Sequence, residues 1–273
     1  PLLMATWKMA PALAVGCSVV VKPAEETPLT ALKFAELAMQ AGLPTGVLSV
    51  VPGFGHEAGE ALGRHPDVDV ISFTGSTEVG RLFMKYSGES NLKGIALEMG
   101  GKSPFIVLDD ASINDDLIEH AATAAFWNAG QNCSANMRQI IAKPLVPAFT
   151  EAIIERVDKY TVGDPLSLET DIGCMISGVH HARVNKYIDS GKAQGATPHS
   201  SSLEPVSGNF INPTVFSDVT KEMMIAKDEI FGPVLGIMSV DDLDAAVALA
   251  KDTDYGLHAT IFTQNIDRAL HVA

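Results

Sequence analysis

Short runs of β-branched and apolar residues alternate with longer stretches in which apolar positions recur every three or four residues. The run CSVVVKP (Cys17–Pro23) has the length and branching of a buried strand. Thr27 then suits a helix N-cap and Pro28 the first helical position. Ala31, Phe34, Ala35 and Ala38 follow at helical spacing, and Gly42 with Pro44 ends the helix. VLSVVPG (Val47–Gly53) predicts a second strand and VDVISFTG (Val68–Gly75) a third. Helices are expected over about His56–Arg64 and Ser76–Tyr86. Strand–helix units of this length predict a parallel sheet covered by helices.

Two glycines and a proline in EMGGKSP (Glu98–Pro104) interrupt the alternation, so a domain boundary is expected there, dividing residues 1–100 from 101–273. Beyond it the pattern resumes. Strands are expected at Phe105–Leu108, Gln139–Ala142, Pro213–Phe216, Val234–Ser239 and Ala259–Thr263. Helices are expected at about Asn114–Asn128, Ala148–Lys159, Gly178–Gln194 and Leu243–Lys251. Thr197–Gly208, rich in Ser, Pro and Gly, reads as a surface loop. Both halves are α/β.

Composition narrows the function classes. Of 273 residues, 47% are hydrophobic, which supports a substantial core and excludes a disordered chain. Acidic residues outnumber basic ones by 33 to 19, and the net charge of -14 opposes binding to nucleic acid or an anionic membrane. The apolar run Ala12–Val21 is too short to span a bilayer and ends at Lys22. Cys17, Cys133 and Cys174 form no CxxC pair and have no zinc-ligand spacing with histidine, so no metal site and no disulfide framework are expected. An odd number of thiols fits a reducing, cytoplasmic setting. Cys17, inside an apolar strand, and Cys174 read as buried structural residues. The chain starts at Pro1 and ends inside a helical pattern at Ala273, and it reads as a fragment.

Several segments could carry chemistry. GFGHEAG (Gly53–Gly59) follows a strand and opens a helix, where glycines permit close approach to a phosphate. Its spacing departs from GxGxxG by one residue, and a plain tight turn explains it equally well. FTGSTEVGR (Phe73–Arg81) is a second such junction, with Ser76 and the amides after Gly75 as pyrophosphate ligands. Two glycine-bearing junctions after successive parallel strands point to one crevice. Lys22 and Glu25 end the first strand, where they could meet a ribose or a phosphate; alone they would read as a solvated loop. In FWNAGQNCSANMR (Phe126–Arg138), Cys133 follows a helix among small and polar neighbours that leave room for a substrate carbon to reach sulfur. Phe126 and Trp127 could line a substrate mouth or pack the helix. No GxSxG elbow is present. His180 and His181 read as exposed helix residues, and Asp109 and Asp110 as turn and cap residues.

The ordered segments FTGSTEVGR, LEMGGKSP, FWNAGQNCSA and DEIFGPVLG resemble the signature segments of the aldehyde dehydrogenase superfamily. The likeness runs from PLLMATWKMAPALAVGCSVVVKPAEETPL to YGLHATIFT. It implies a Rossmann-like parallel-sheet cofactor domain followed by an α/β catalytic domain, truncated at both ends. By the same resemblance Cys133 is the nucleophile and Glu98 the general base. Glu229 and Phe231 bind the nicotinamide ribose and ring, and Lys22 and Glu25 the adenosine ribose. Phe73, Gly55, Gly59, Gly75, Ser76 and Val79 line the dinucleotide channel. An oxyanion-stabilising asparagine is implied just before the position of Pro1, outside this chain, with the Cys133 amide as its co-donor. The expected reaction is oxidation of a small aldehyde to an acid with NAD, NADP being possible, in a homodimer or homotetramer. Two other readings are an acyl transfer to coenzyme A and a catalytically silent dinucleotide-binding relative. The presence of Glu98 favours hydrolysis.

Overall fold

A computed structural model describes residues 1–200 and 207–273. The chain divides into two compact units, Pro1–Met99 and Gly100–Ala273.

The first unit runs α1 (Leu2–Ala14), β1 (Val19–Val21), α2 (Leu29–Gln40), β2 (Leu48–Val50), a π-helical turn (Gly55–Gly59), α3 (Glu60–Arg64), β3 (Val70–Thr74), α4 (Thr77–Gly88) and β4 (Gly94–Glu98). β1 pairs with β2 in parallel, and so does β3 with β4, whose register sets Thr74 opposite Glu98. Parallel neighbours need a crossover, and α2 and α4 supply the two. Helix α2 closes as the sequence demands. Gly42, at φ +97°, donates to Met39 O while Leu43 donates to Ala38 O, a paired ending that a left-handed glycine makes possible. Helix α4 starts on Ser76, whose hydroxyl accepts from the Val79 amide.

The second unit runs β5 (Pro104–Val107), α5 (Asp115–Phe126), β6 (Arg138–Ala142), α6 (Val146–Val157), α7 (Gly178–Ala193), β7 (Thr197–Ser200), β8 (Thr214–Ser217), α8 (Met224–Lys227), β9 (Val234–Val240), α9 (Leu243–Lys251), β10 (Thr260–Phe262) and α10 (Ile266–Val272). Among the described residues its sheet has six strands in the order β10-β5-β6-β9-β8-β7, parallel except for the β7–β8 pair. Phe105, Val107 and Ile141 face one buried cluster with Ala121, Ala125, Phe149, Ile153 and Val184. Ile106, Leu108, Ile140 and Val240 face a second with Ala246. Alternate residues thus bury on opposite faces, which explains the unbroken apolar strand runs.

Several expectations change. The stretch Leu2–Ala14, which the sequence pattern left unassigned, is a helix with Pro11 inside it, and it buries Met9. Cys17 lies outside β1 and is exposed, because the chain leaves α1 there with the Cys17 amide bonded to Ala12 O. Cys174 is half-buried, not sealed in the core. Pro28, with helical dihedrals, takes the N-cap position of α2, and the helix has no side-chain cap from Thr27. Of the expected loop Thr197–Gly208, the residues Thr197–Ser200 form the antiparallel edge strand β7, where Pro198 is tolerated because an edge strand can lack a ladder donor. Residues 201–206 lie outside the described residues. Asp109 and Asp110 lie in the turn after β5 as expected, but Asn114 caps α5, and the two aspartates anchor the C-terminal segment: Asp109 meets Arg268 at 2.6 Å, and Asp110 accepts from Thr263 Oγ1 at 2.8 Å. No helix among the described residues is long and apolar enough to cross a membrane.

Candidate active site

In the second unit three segments meet at glycines. Gly101 donates its backbone N–H to Glu229 Oε1 at 3.2 Å. A methyl placed on Gly101 would stand 2.5 Å from Cys133 O, and one on Gly100 would stand 2.3 Å from Glu229 Oε2. One on Gly130 would stand 2.4 Å from Gly232 O. The GG pair after β4, the turn before Cys133 and the loop Glu229–Gly232 therefore approach more closely than any side chain on these glycines would permit.

Helix α5 ends at Phe126, which is 1% exposed and packs the core, whereas Trp127 is 54% exposed. The two aromatic neighbours thus split between packing and surface. The chain then makes a 3-10 turn, Trp127–Gly130, in which Asn128, Ala129 and Gly130 are all left-handed at φ +54°, +56° and +68°. For the two non-glycine residues this conformation costs about 1–2 kcal/mol each. Asn128 Nδ2 recovers part of it by donating to Gln131 O at 3.0 Å. Cys133 follows, half-buried, its Sγ 3.9 Å from Asn132 Oδ1. The same oxygen accepts from Ser134 N at 3.3 Å and Ser134 Oγ at 3.2 Å.

Glu229 is largely buried, which raises its carboxyl above the usual range; the Gly101 hydrogen bond and the charges of Arg183 and Lys102 oppose that rise. Phe231 is itself left-handed at φ +58°. His180 Nε2 donates to Phe231 O at 2.6 Å, and Arg183 donates to Glu229 O at 2.9 Å. Helix α7 thus pins this loop from two positions one turn apart. His180 and His181 are consequently half-buried and bonded, not exposed, since His181 Nε2 reaches Phe210 O at 3.2 Å. Lys102 is fully buried, and no hydrogen-bond partner for its Nζ is found among the described residues. Burial first, then the Arg138 charge, pushes its amine down to about 7, against Asp228 and Glu229.

In the first unit the strand ends carry the expected cofactor-binding side chains. Glu25 Oε1 accepts from the Gly55 amide at 2.8 Å and from Lys22 Nζ at 3.2 Å. Its carboxyl is held below the usual range by its own backbone amide first, and then by Lys22. Lys22 Nζ also donates to Pro23 O and Gly53 O, both at 2.8 Å, and its stem crosses Gly59. Glu25, Pro28, Pro52 and Phe54 line a cleft of about 280 Å³ at the carboxyl ends of β1 and β2. The Phe73 ring folds over Gly75, where a methyl would stand 2.4 Å from it. Val79 opens α4 and is partly exposed. Glu98 ends β4, is exposed, and gives its carbonyl to the Gly75 amide at 3.0 Å.

Sequence reasoning passed over Lys8, Lys102, Gln131 and Arg183. Lys8, on α1, feels the charge of Glu98 while burial lowers its amine. A lysine inside the apolar GKSP segment was the one signal on offer for Lys102. Gln131 and Arg183 carry none, because their partners are backbone atoms distant in sequence.

The Aldehyde dehydrogenase family model matches residues 1–273. Aminoacetaldehyde dehydrogenase of Pseudomonas aeruginosa is 48% identical over 274 residues, covering 100% of this chain and 55% of its own. A crystal structure of an aldehyde dehydrogenase from Pseudomonas aeruginosa superimposes with TM-score 0.96 at 42% identity, over 100% of this chain and 56% of that one. A mutant indole-3-acetaldehyde dehydrogenase of P. syringae, in complex with NAD+ and IAA, gives TM-score 0.96 at 41% identity, with the same coverage of 100% and 56%. The chain thus spans about half the length of the relatives it matches. Whole-length identity at this level, together with an architecture shared throughout, leaves one conclusion: the chain belongs to the aldehyde dehydrogenase family.

Proposed function

We propose that the protein oxidises a small aldehyde to a carboxylic acid with NAD+, using Cys133 as nucleophile and Glu98 as general base, and that it works in the cytoplasm as a homodimer or homotetramer. Residues 1–100 serve the dinucleotide and contribute Glu98, and residues 101–273 carry Cys133. The observation that carries this reading is Gly101, which touches the Cys133 carbonyl and the Glu229 carboxylate at once. That contact with the Cys133 backbone and the Glu229 carboxylate supports a single site for the nucleophile and a group suited to a ribose hydroxyl.

The residues present fit a dinucleotide. Glu25 is an ionised acceptor for ribose hydroxyls, while Gly55, Gly59, Gly75 and Ser76 keep the strand–helix junctions slim enough for backbone to approach phosphate. Lys22 steadies Glu25, and Phe73 and Val79 supply apolar contact. Glu229 would hold the nicotinamide ribose, with Phe231 against the ring. When bound, NAD+ supplies the hydride acceptor.

The Cys133 thiolate adds to the aldehyde carbon, and the Cys133 backbone amide donates to the oxygen that becomes negative. Loss of hydride from that carbon leaves a thioester on sulfur. Glu98 takes a proton from water, the hydroxide adds to the thioester carbonyl, and the thiolate departs as the acid is released. A carboxylate suits this step because it can act through one ordered water without itself attacking. Glu25 repels a 2′-phosphate, which favours NAD+ over NADP+.

In the full-length protein, Cys133→Ala should abolish NADH formation. Glu98→Gln should give one rapid NADH per site and then a steady rate lower by about 10²–10⁴. Retained turnover in the Cys133 variant would overturn the assignment. Product analysis with and without coenzyme A separates hydrolysis from acyl transfer.

A further inference from the structure

We propose that Gln131 is the positioning residue of the nucleophile turn, its carboxamide tying that turn to the backbone of residues 174–176. The proposal rests on Cys133 being the nucleophile. Gln131 Oε1 accepts from Ile176 N at 2.9 Å, and its Nε2 donates to Cys174 O at 3.3 Å. Nε2 also lies 3.4 Å from Asn128 O. A backbone N–H and a backbone C=O two residues apart are thus met by one side chain, much as a neighbouring strand would meet them. A primary amide offers a donor and an acceptor on one planar group; a carboxylate or an ammonium offers one kind alone.

The anchor is firm. Ile172 and Met175 are each 1% exposed, and the Met175 amide donates to Asn209 O at 2.8 Å. The turn is not firm by itself. The bonds from Gln131 N to Asn128 O and from Asn128 Nδ2 to Gln131 O are local to the turn, and its three consecutive left-handed residues are held in a strained conformation. Gly130 rests on Gly232, but that packing is contact without direction. The Gln131 amide adds a directional tie to a distant segment, two residues from the sulfur. Relaxation of Asn128 or Ala129 toward right-handed dihedrals would rotate the chain entering Cys133, and the tie prevents it.

The test uses the full-length protein with Gln131→Met, which keeps length and packing but makes none of these bonds, and Gln131→Glu, which keeps the acceptor and loses the donor. Three quantities are read: the alkylation rate of Cys133 by iodoacetamide without cofactor, kcat, and KM for NAD+. For Q131M we expect alkylation and kcat to fall about tenfold while KM for NAD+ stays within twofold. For Q131E the fall should be as large or larger, since a carboxylate would face two carbonyls. Wild-type alkylation and kcat in a folded Q131M would overturn the proposal, as would an equal loss in KM. Should Q131M fail to fold, Q131E decides by the same numbers. Cys133→Ala runs in parallel: NADH formation surviving there would sink the nucleophile reading itself, whereas a dead Cys133 variant beside an unaffected Q131M sinks only the role of Gln131.

Discussion

Gly101 gives its amide hydrogen to Glu229, 3.2 Å away, while its bare Cα rests against the carbonyl of Cys133. Adding one methyl here and one at Gly100 should have different effects. On Gly101 the methyl meets backbone at 2.5 Å, which cannot yield cheaply. Gly101→Ala should therefore destabilise by about 1–3 kcal/mol and reduce kcat by more than about tenfold. On Gly100 the methyl meets the tip of the Glu229 side chain, which can swing away. Gly100→Ala should keep the melting temperature near wild type and raise KM for NAD+ several-fold. Thermal melts and steady-state kinetics on both variants check the contrast.

Glu25 should set the choice of dinucleotide. Its own backbone amide, then Lys22, keep the carboxyl below the ordinary range, so it remains charged throughout neutral and mildly acidic pH. Glu25→Ser removes the repulsion toward a 2′-phosphate and should raise the NADP+ to NAD+ ratio of kcat/KM by about tenfold. Because Glu25 does not titrate between neutral and mildly acidic pH, a change in the wild-type ratio there would come from the 2′-phosphate of NADP+ itself, which titrates at about 6.

Lys102 makes stability depend on pH. An unfolded lysine ionises near its ordinary 10.5, and the folded one near about 7. Between those values the unfolded chain binds more protons, so this residue makes stability rise with pH across that window. Below about 7 both states are protonated and the full penalty of a buried ammonium applies. Lys102→Met should stabilise the fold most near pH 6, by about 1–4 kcal/mol, and least near pH 10. Urea unfolding of both proteins at the two pH values reads the difference. An increment that does not change with pH would count against it.

The bond from His180 to Phe231 holds a non-glycine residue left-handed. Its loss is worth about 1 kcal/mol, hence roughly a fivefold weaker hold on NAD+ in His180→Ala. His180→Gln can still donate and should recover most of the affinity. Cofactor titration by protein fluorescence measures both.

What the sequence made legible was local. The β-branched runs and glycine stops located most strands and helices, because each reports its own backbone preference. The order of FTGSTEVGR, LEMGGKSP, FWNAGQNCSA and DEIFGPVLG was enough to indicate the family. What escaped depends on distant partners. His180 looks like any polar helix residue until Phe231 O, 51 positions away, is beside it. Apart from its GKSP setting, nothing in the sequence marks Lys102 as buried, yet it is 3% exposed. Cys17 looked like strand interior because the apolar pattern runs across the α1–β1 turn without a break.

The π-helical turn after β2 has one more consequence. Glu57, Ala58 and Gly59 all direct their amides to Phe54 O, and Gly55 spends its own on Glu25. At α4, Ser76 occupies only the Val79 amide, and the N–H groups of Thr77 and Glu78 have no partner within the helix. The two glycine-bearing junctions are therefore unequal in attraction for an anion: at the earlier one the amides of Gly55, Glu57, Ala58 and Gly59 already have partners, which leaves shape more than charge for it to offer, while those of Thr77 and Glu78 are not used within α4.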